Sequence, residues 1–212
     1  MSTGRRPRWR WIALGALAVI LVLVAIVVVP ILTHQNQGVS VQEEPAQEWP
    51  LEVAATGDDG RSRSFVVLPA EPGASIDTSA LEPGQQLVVS GTGYDSARGI
   101  YVAICRIPAD ATVKPGPCLG GVPDQEAQEV EAGAVQYAAS NWINDDWAWK
   151  LFGARRYDDA ATGTFTAYLL VGELADEALD CRVDACGIYT RNDHTALNDR
   201  VQDLYVPVSF AD

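Results

Sequence analysis

The chain has 212 residues and a formal net charge of −13, and four of its basic residues, Arg5, Arg6, Arg8 and Arg10, fall within the first ten positions, so the remainder is more acidic still. An acidic surface repels phosphate backbones, which argues against nucleic acid as a partner. The length allows one domain with attachments, or two small domains.

From Trp11 to Leu32 no side chain is charged. At a rise of about 1.5 Å per residue this makes roughly 33 Å of helix, enough to cross the hydrocarbon core of a bilayer. Residues 1–10 read as a basic cytoplasmic tail under the positive-inside rule, with Trp9 and Trp11 as interfacial anchors. A cleaved signal peptide is the competing reading. Its apolar region is shorter, however, and ends in a small-x-small site that Val27-Val28-Val29-Pro30-Ile31-Leu32 does not offer. The expectation is an uncleaved transmembrane helix over 11–32, a single-pass anchor in the cell membrane with the C-terminal part extracellular.

Residues 33–50, THQNQGVSVQEEPAQEWP, are polar with almost no apolar periodicity and read as a flexible linker. Residues 51–212 then form an extracellular domain. LEVAAT and SFVVL flank Gly57-Asp58-Asp59-Gly60 as a hairpin. After the break at Pro69, Pro72 and Gly73, the stretch from Gln86 to Ile107 holds two strands, LVVSGTGY and GIYVAICRI. Their side chains alternate with a period of two, and Gly91, Gly93 and Gly99 bracket the connection. Asp124 to Val135 is acidic and poor in strand formers. Asn141 to Tyr157 concentrates Trp142, Trp147, Trp149, Phe152 and Tyr157 beside Lys150, Arg155 and Arg156. Strand alternation returns in GTFTAYLLV, in CGIYT and in YVPVSF, whose Pro207 suits an edge or a bulge. Short strands separated by Gly and Pro turns predict an all-β sandwich.

The four cysteines sit beyond the apolar stretch, where disulfides persist. Four cysteines allow three connectivities. Local pairing, Cys105 with Cys118 and Cys181 with Cys186, is expected because each couple encloses a turn-rich loop. Zinc would want C-x2-C spacing or nearby histidines, and residues 51–212 contain only His194.

VVSGTGY with the glycine-led strand ending in Cys105, then Cys118, GTFTAYLLV, Asp180-Cys181-x4-Cys186 and the terminal VPVSF resemble the neocarzinostatin family, the secreted β-sandwich apoproteins of actinobacteria that carry enediyne chromophores. The match covers most of Leu81 to Phe210. The resemblance implies an immunoglobulin-like Greek-key sandwich with two local disulfides and a cleft beside a short hairpin. The chain departs from the family in its membrane anchor, its wider first cysteine pair and its Trp-rich segment. It also has Ile107 where the family's cleft has an aromatic residue after the first cysteine.

Asp193-His194 invites a catalytic reading, since an acid can orient an imidazole base. The sequence has no G-x-S-x-G serine, and with both cysteine pairs oxidised no thiolate remains. His194, or Tyr189, as a haem ligand is a further reading, and a surface-loop histidine is the simpler one. Asp145-Asp146, Asp158-Asp159 and Asp176-Glu177 lack the spacing of a calcium loop and read as a solvated acidic surface. The expectation is therefore a non-catalytic binding domain with no metal and no cofactor. Trp142, Trp147, Trp149, Phe152, Tyr157, Arg155 and Arg156 form its candidate recognition segment for a small apolar ligand or an envelope component. The alternative is a structural or scaffolding subunit that binds another envelope protein through the same face.

Overall fold

In the computed structural model the described residues are 8–43, 45, 47–121 and 135–211. The basic tail up to Pro7 and most of the acidic stretch Asp124 to Val135 lie outside them. The chain divides into two compact units, 1–35 and 36–212.

The first unit is one helix, α1 (Arg8–Leu32), of 25 residues. It is long and apolar enough to span a membrane, and its apolar side chains are exposed along its length, Ile12, Leu17, Val24 and Leu32 among them. Thr33 ends it, the amide and hydroxyl both bonding to the carbonyl of Val29.

The second unit is built from strands. β1 (Ser40–Gln42), β2 (Glu52–Gly57), β3 (Ser62–Pro69), β4 (Gln86–Thr92) and β7 (Phe165–Leu170) form an antiparallel sheet in the order β1-β2-β3-β4-β7. β5 (Ile100–Arg106), β6 (Ser140–Ile143), β8 (Cys186–Asn192) and β9 (Leu204–Val208) form a second, in the order β6-β5-β8-β9. The inner faces supply one core. Val53, Phe65, Val67, Leu87, Val89, Phe165, Ala167 and Leu169 come from the first sheet. Ile100, Val102, Ile104, Ile143, Ile188, Leu204 and Val206 come from the second. Each set falls at alternate positions of its strands, the pattern that a sheet with one buried face dictates.

The two strands of the Gln86–Ile107 stretch do not pair with each other. β4 lies between β3 and β7, and β5 lies between β6 and β8, so the connection over 93–99 carries the chain from one sheet to the other. Gly93 makes the turn possible. Its φ is +84°, and a Cβ there would collide with the carbonyl oxygen of Ser62.

The residues read as a flexible linker begin to join the second unit at Asn36. Its side chain donates to Asn198 O at 2.8 Å. Arg200 N donates to Gly38 O, and Ser40 N to Arg200 O. β1 follows, and the Gln42 amide bonds both to the carbonyl and to the N–H of Tyr205 on the edge strand β9. These bonds are made by main chain and amide groups, so the segment needs no apolar periodicity to be held.

Both cysteine pairs form as expected, Cys105 with Cys118 and Cys181 with Cys186.

Candidate functional site

Because side chains alternate, the residues of β5, β6, β8 and β9 that do not enter the core share the outer face of their sheet. Register places Trp142 and Arg191 on either side of Tyr101, and places Tyr189 between Ala103 and Tyr205. Outward strand positions are ordinarily polar. Here they carry a row Trp142–Tyr101–Arg191 and a row Ala103–Tyr189–Tyr205.

The first row is closed off by the segment 144–157. Asp146 caps a single turn of helix, α2 (Trp147–Lys150), its carboxylate accepting from Ala148 N at 2.9 Å. The chain then returns along β6, with Arg155 N donating to Trp142 O and Asn144 N to Arg155 O. This brings the Trp149 ring to 5.8 Å from Trp142 and 4.6 Å from His194, with Phe152 at 6.2 Å from Trp149. His194 stands over the same cluster, 5.2 Å from Trp142, and its Nδ1 is 2.9 Å from the Tyr101 hydroxyl.

Asp193 supports the cluster from beneath. It is fully buried. Its Oδ2 accepts from the Trp142 indole and from the Asn144 amide, each at 2.8 Å, and its Oδ1 accepts from the Thr195 amide and hydroxyl. Gly99 leaves the room for this carboxylate, since a Cβ there would collide with Oδ2. The adjacent acid and imidazole are thus divided in their work: Asp193 fixes the indole, and the imidazole meets a phenol. Burial, with a further contribution from Asp193, pushes the Tyr101 hydroxyl up to about 12. His194 is half-buried among aromatic rings, not on the open surface loop that its polar neighbours suggested.

The second row lies beside the disulfide loop. Ala103, Cys105 and Tyr189 form a small outer cluster against Ile107, Cys118 and Tyr205. Tyr189 and Tyr205 stack with ring centroids 4.8 Å apart and planes 22° from parallel. A cavity of about 200 Å³ opens here, walled by the two tyrosines, by β1 and by loop residues from Pro108 to Pro115. At its wall Asp203 is 9% exposed. One carboxylate oxygen accepts from Arg200 at 2.7 Å, and the other, Oδ1, is buried. Burial pushes this carboxyl up to about 7, against the opposing pull of Arg200, the Asn192 backbone N–H and Arg191. Arg191 joins the two rows. Its guanidinium lies over the Tyr101 ring at 5.6 Å and donates to Pro115 O of the loop at 3.1 Å.

Of the recognition residues read from the sequence, Trp142, Trp149 and Phe152 are brought together. Trp147 projects from α2 and is 54% exposed. Arg155 turns away, over the Tyr168 ring at 4.5 Å, and Arg156 is exposed. Tyr157 belongs to the main core, its hydroxyl donating to Arg98 O. Tyr101, Tyr205 and Asp203 complete the face and were not singled out, while Asp193 and Tyr189 were read only as a catalytic acid and a haem ligand. Aromatic residues at the outward positions of alternating strands were the available signal for the tyrosines. Asp203 left none.

Among the described residues no group of three or more His, Cys, Asp or Glu side chains is placed to hold a metal ion. Comparison with protein-family models, with curated proteins and with solved structures finds no match.

Proposed function

We propose that the chain is a membrane-anchored, extracellular and non-catalytic binding domain that takes a small apolar ligand on the outer face of the β6-β5-β8-β9 sheet. The observation that carries this reading is the cavity of about 200 Å³ beside the stacked Tyr189–Tyr205 pair, with Asp203 among the residues that line it. Cavities of about 150 Å³ hold a benzene ring. The space therefore suits a one-ring aromatic that stacks against the tyrosine rings.

The fold belongs to the same proposal. Two antiparallel sheets over one core and two local disulfides are consistent with an immunoglobulin-like Greek key of the neocarzinostatin type, a fold analogy that by itself names no ligand. The uncharged helix after a run of arginines supports a single-pass anchor with its N-terminus in the cytoplasm.

The test is a ¹⁹F NMR titration of 4-fluorophenol with the full chain in nanodiscs, with empty nanodiscs as reference. Saturable broadening with one-site stoichiometry is the expected result. Broadening no greater than that with empty nanodiscs would overturn the reading.

A further inference from the structure

The largest exposed apolar side chains on one end of the second unit come from the turn around α2. Trp147 is 54% exposed, Leu151 77% and Phe152 48%. Trp149, between them in sequence, rests on His194. His194 opens the short turn His194–Ala196, and Leu197, the next residue, is itself 48% exposed.

The same loop receives the chain as it joins this unit. Asn36 bonds to Asn198, and Gly38 and Ser40 bond to Arg200. The exposed apolar tip and the point of attachment are therefore at one end of the domain, linked through residues 193–200. Only Thr33, His34 and Gln35 separate Leu32, the last residue of α1, from Asn36. The four steps from Leu32 to Asn36 span at most about 14 Å. If α1 crosses a bilayer, Asn36 is tethered within that reach of the helix end.

We propose that Trp147, Leu151 and Phe152, with Lys150 between them, seat on the lipid surface of the bilayer in which the chain is anchored. The inference rests on the anchor reading above. Tryptophan favours the interface because its ring is apolar and its N–H finds a partner among headgroups. Lys150 and Arg156 suit anionic headgroups. Two acidic neighbours are turned to the backbone, Asp146 to Ala148 N and Asp145 to Tyr157 N. Seating the tip would hold the domain in one orientation on the membrane surface.

The experiment uses the full chain in nanodiscs of phosphatidylcholine mixed with phosphatidylglycerol. A nitroxide is placed, one site at a time, at Leu151→Cys on the tip, Val22→Cys in the helix and Val183→Cys on an exposed loop. Collision with oxygen, which concentrates in lipid, is compared with collision with a water-soluble nickel chelate. The Leu151 probe should be several-fold less accessible to the chelate than the Val183 probe, and Trp147→Ser with Phe152→Ser should return it to the aqueous value. A lipid signal at Val22 with an aqueous signal at Leu151 would overturn the docking alone and leave the tip to a protein partner. An aqueous signal at Val22 would overturn the anchor, and this inference with it.

Discussion

The indole N–H of Trp142 donates to Asp193 Oδ2 at 2.8 Å, and this bond ties the edge strand β6 to the turn that carries His194. The same oxygen takes the Asn144 amide, and the other takes Thr195. One buried carboxylate thus sets the positions of three elements that meet at the aromatic cluster.

Asp193→Ala should be among the most costly substitutions in the domain. It leaves the indole, the Asn144 amide and the Thr195 amide without their acceptor, and each unpaired buried group costs about 1–3 kcal/mol. Asp193→Asn keeps one acceptor oxygen and should cost less. Denaturant unfolding followed by tryptophan emission checks the order. A wild-type midpoint for Asp193→Ala would show the network to be idle.

The tryptophans of the Asn141–Tyr157 segment should separate by burial. Trp142→Ala removes a ring that is 7% exposed and bonded to Asp193, and should lower stability by about 3–5 kcal/mol. Trp147→Ala removes an exposed ring and should stay within about 0.5 kcal/mol of the parent. Thermal unfolding of the two variants side by side decides the matter, and equal losses would contradict the assignment.

Asp203 makes stability depend on pH in an unusual sense. Its carboxyl is pushed up to about 7 by burial, facing Arg200 and Arg191 and acting in turn on Lys114. An unfolded aspartate titrates near about 3.9. The folded state holds the proton more tightly, so this group's contribution is complete below about pH 4 and is lost as the pH rises to about 7. The carboxylates held low by hydrogen bonds, Asp77, Asp110 and Asp180 among them, act in the opposite sense and only at more acid pH. The unfolding midpoint should therefore fall between about pH 5 and 7 in the parent, and fall less in Asp203→Asn. Parallel curves for the two proteins would remove Asp203 from the account.

What was legible in the sequence was local. The apolar helix shows in a run without charge, the β2–β3 hairpin in two alternating stretches around Gly57–Gly60, and the disulfides in cysteines that each close a short loop. What was not legible depends on distant partners. β4 and β5 follow one another in the chain yet lie in different sheets, because β4 pairs with β3 and β7. β1 is a three-residue strand held by main chain and by Gln42, and it leaves no apolar pattern. The Trp-rich segment contains a strand, β6, whose partner lies some forty positions earlier. Asp193 looks like the acid of an Asp-His pair until Gly99 and Trp142 are seen to surround it.

The central claim is that the cavity beside Tyr189 and Tyr205, rather than the exposed tryptophan tip, holds the ligand. The affinity of the full chain for 4-fluorophenol, measured in nanodiscs for the parent, Tyr205→Ala, Ala111→Trp and Trp147→Ala, tests it most directly. Tyr205→Ala removes one wall and Ala111→Trp fills the space, so each should weaken binding by about tenfold or more, the equivalent of roughly 1.4 kcal/mol, while Trp147→Ala leaves it unchanged. Loss of binding in Trp147→Ala with affinity retained in the two cavity variants would contradict the account.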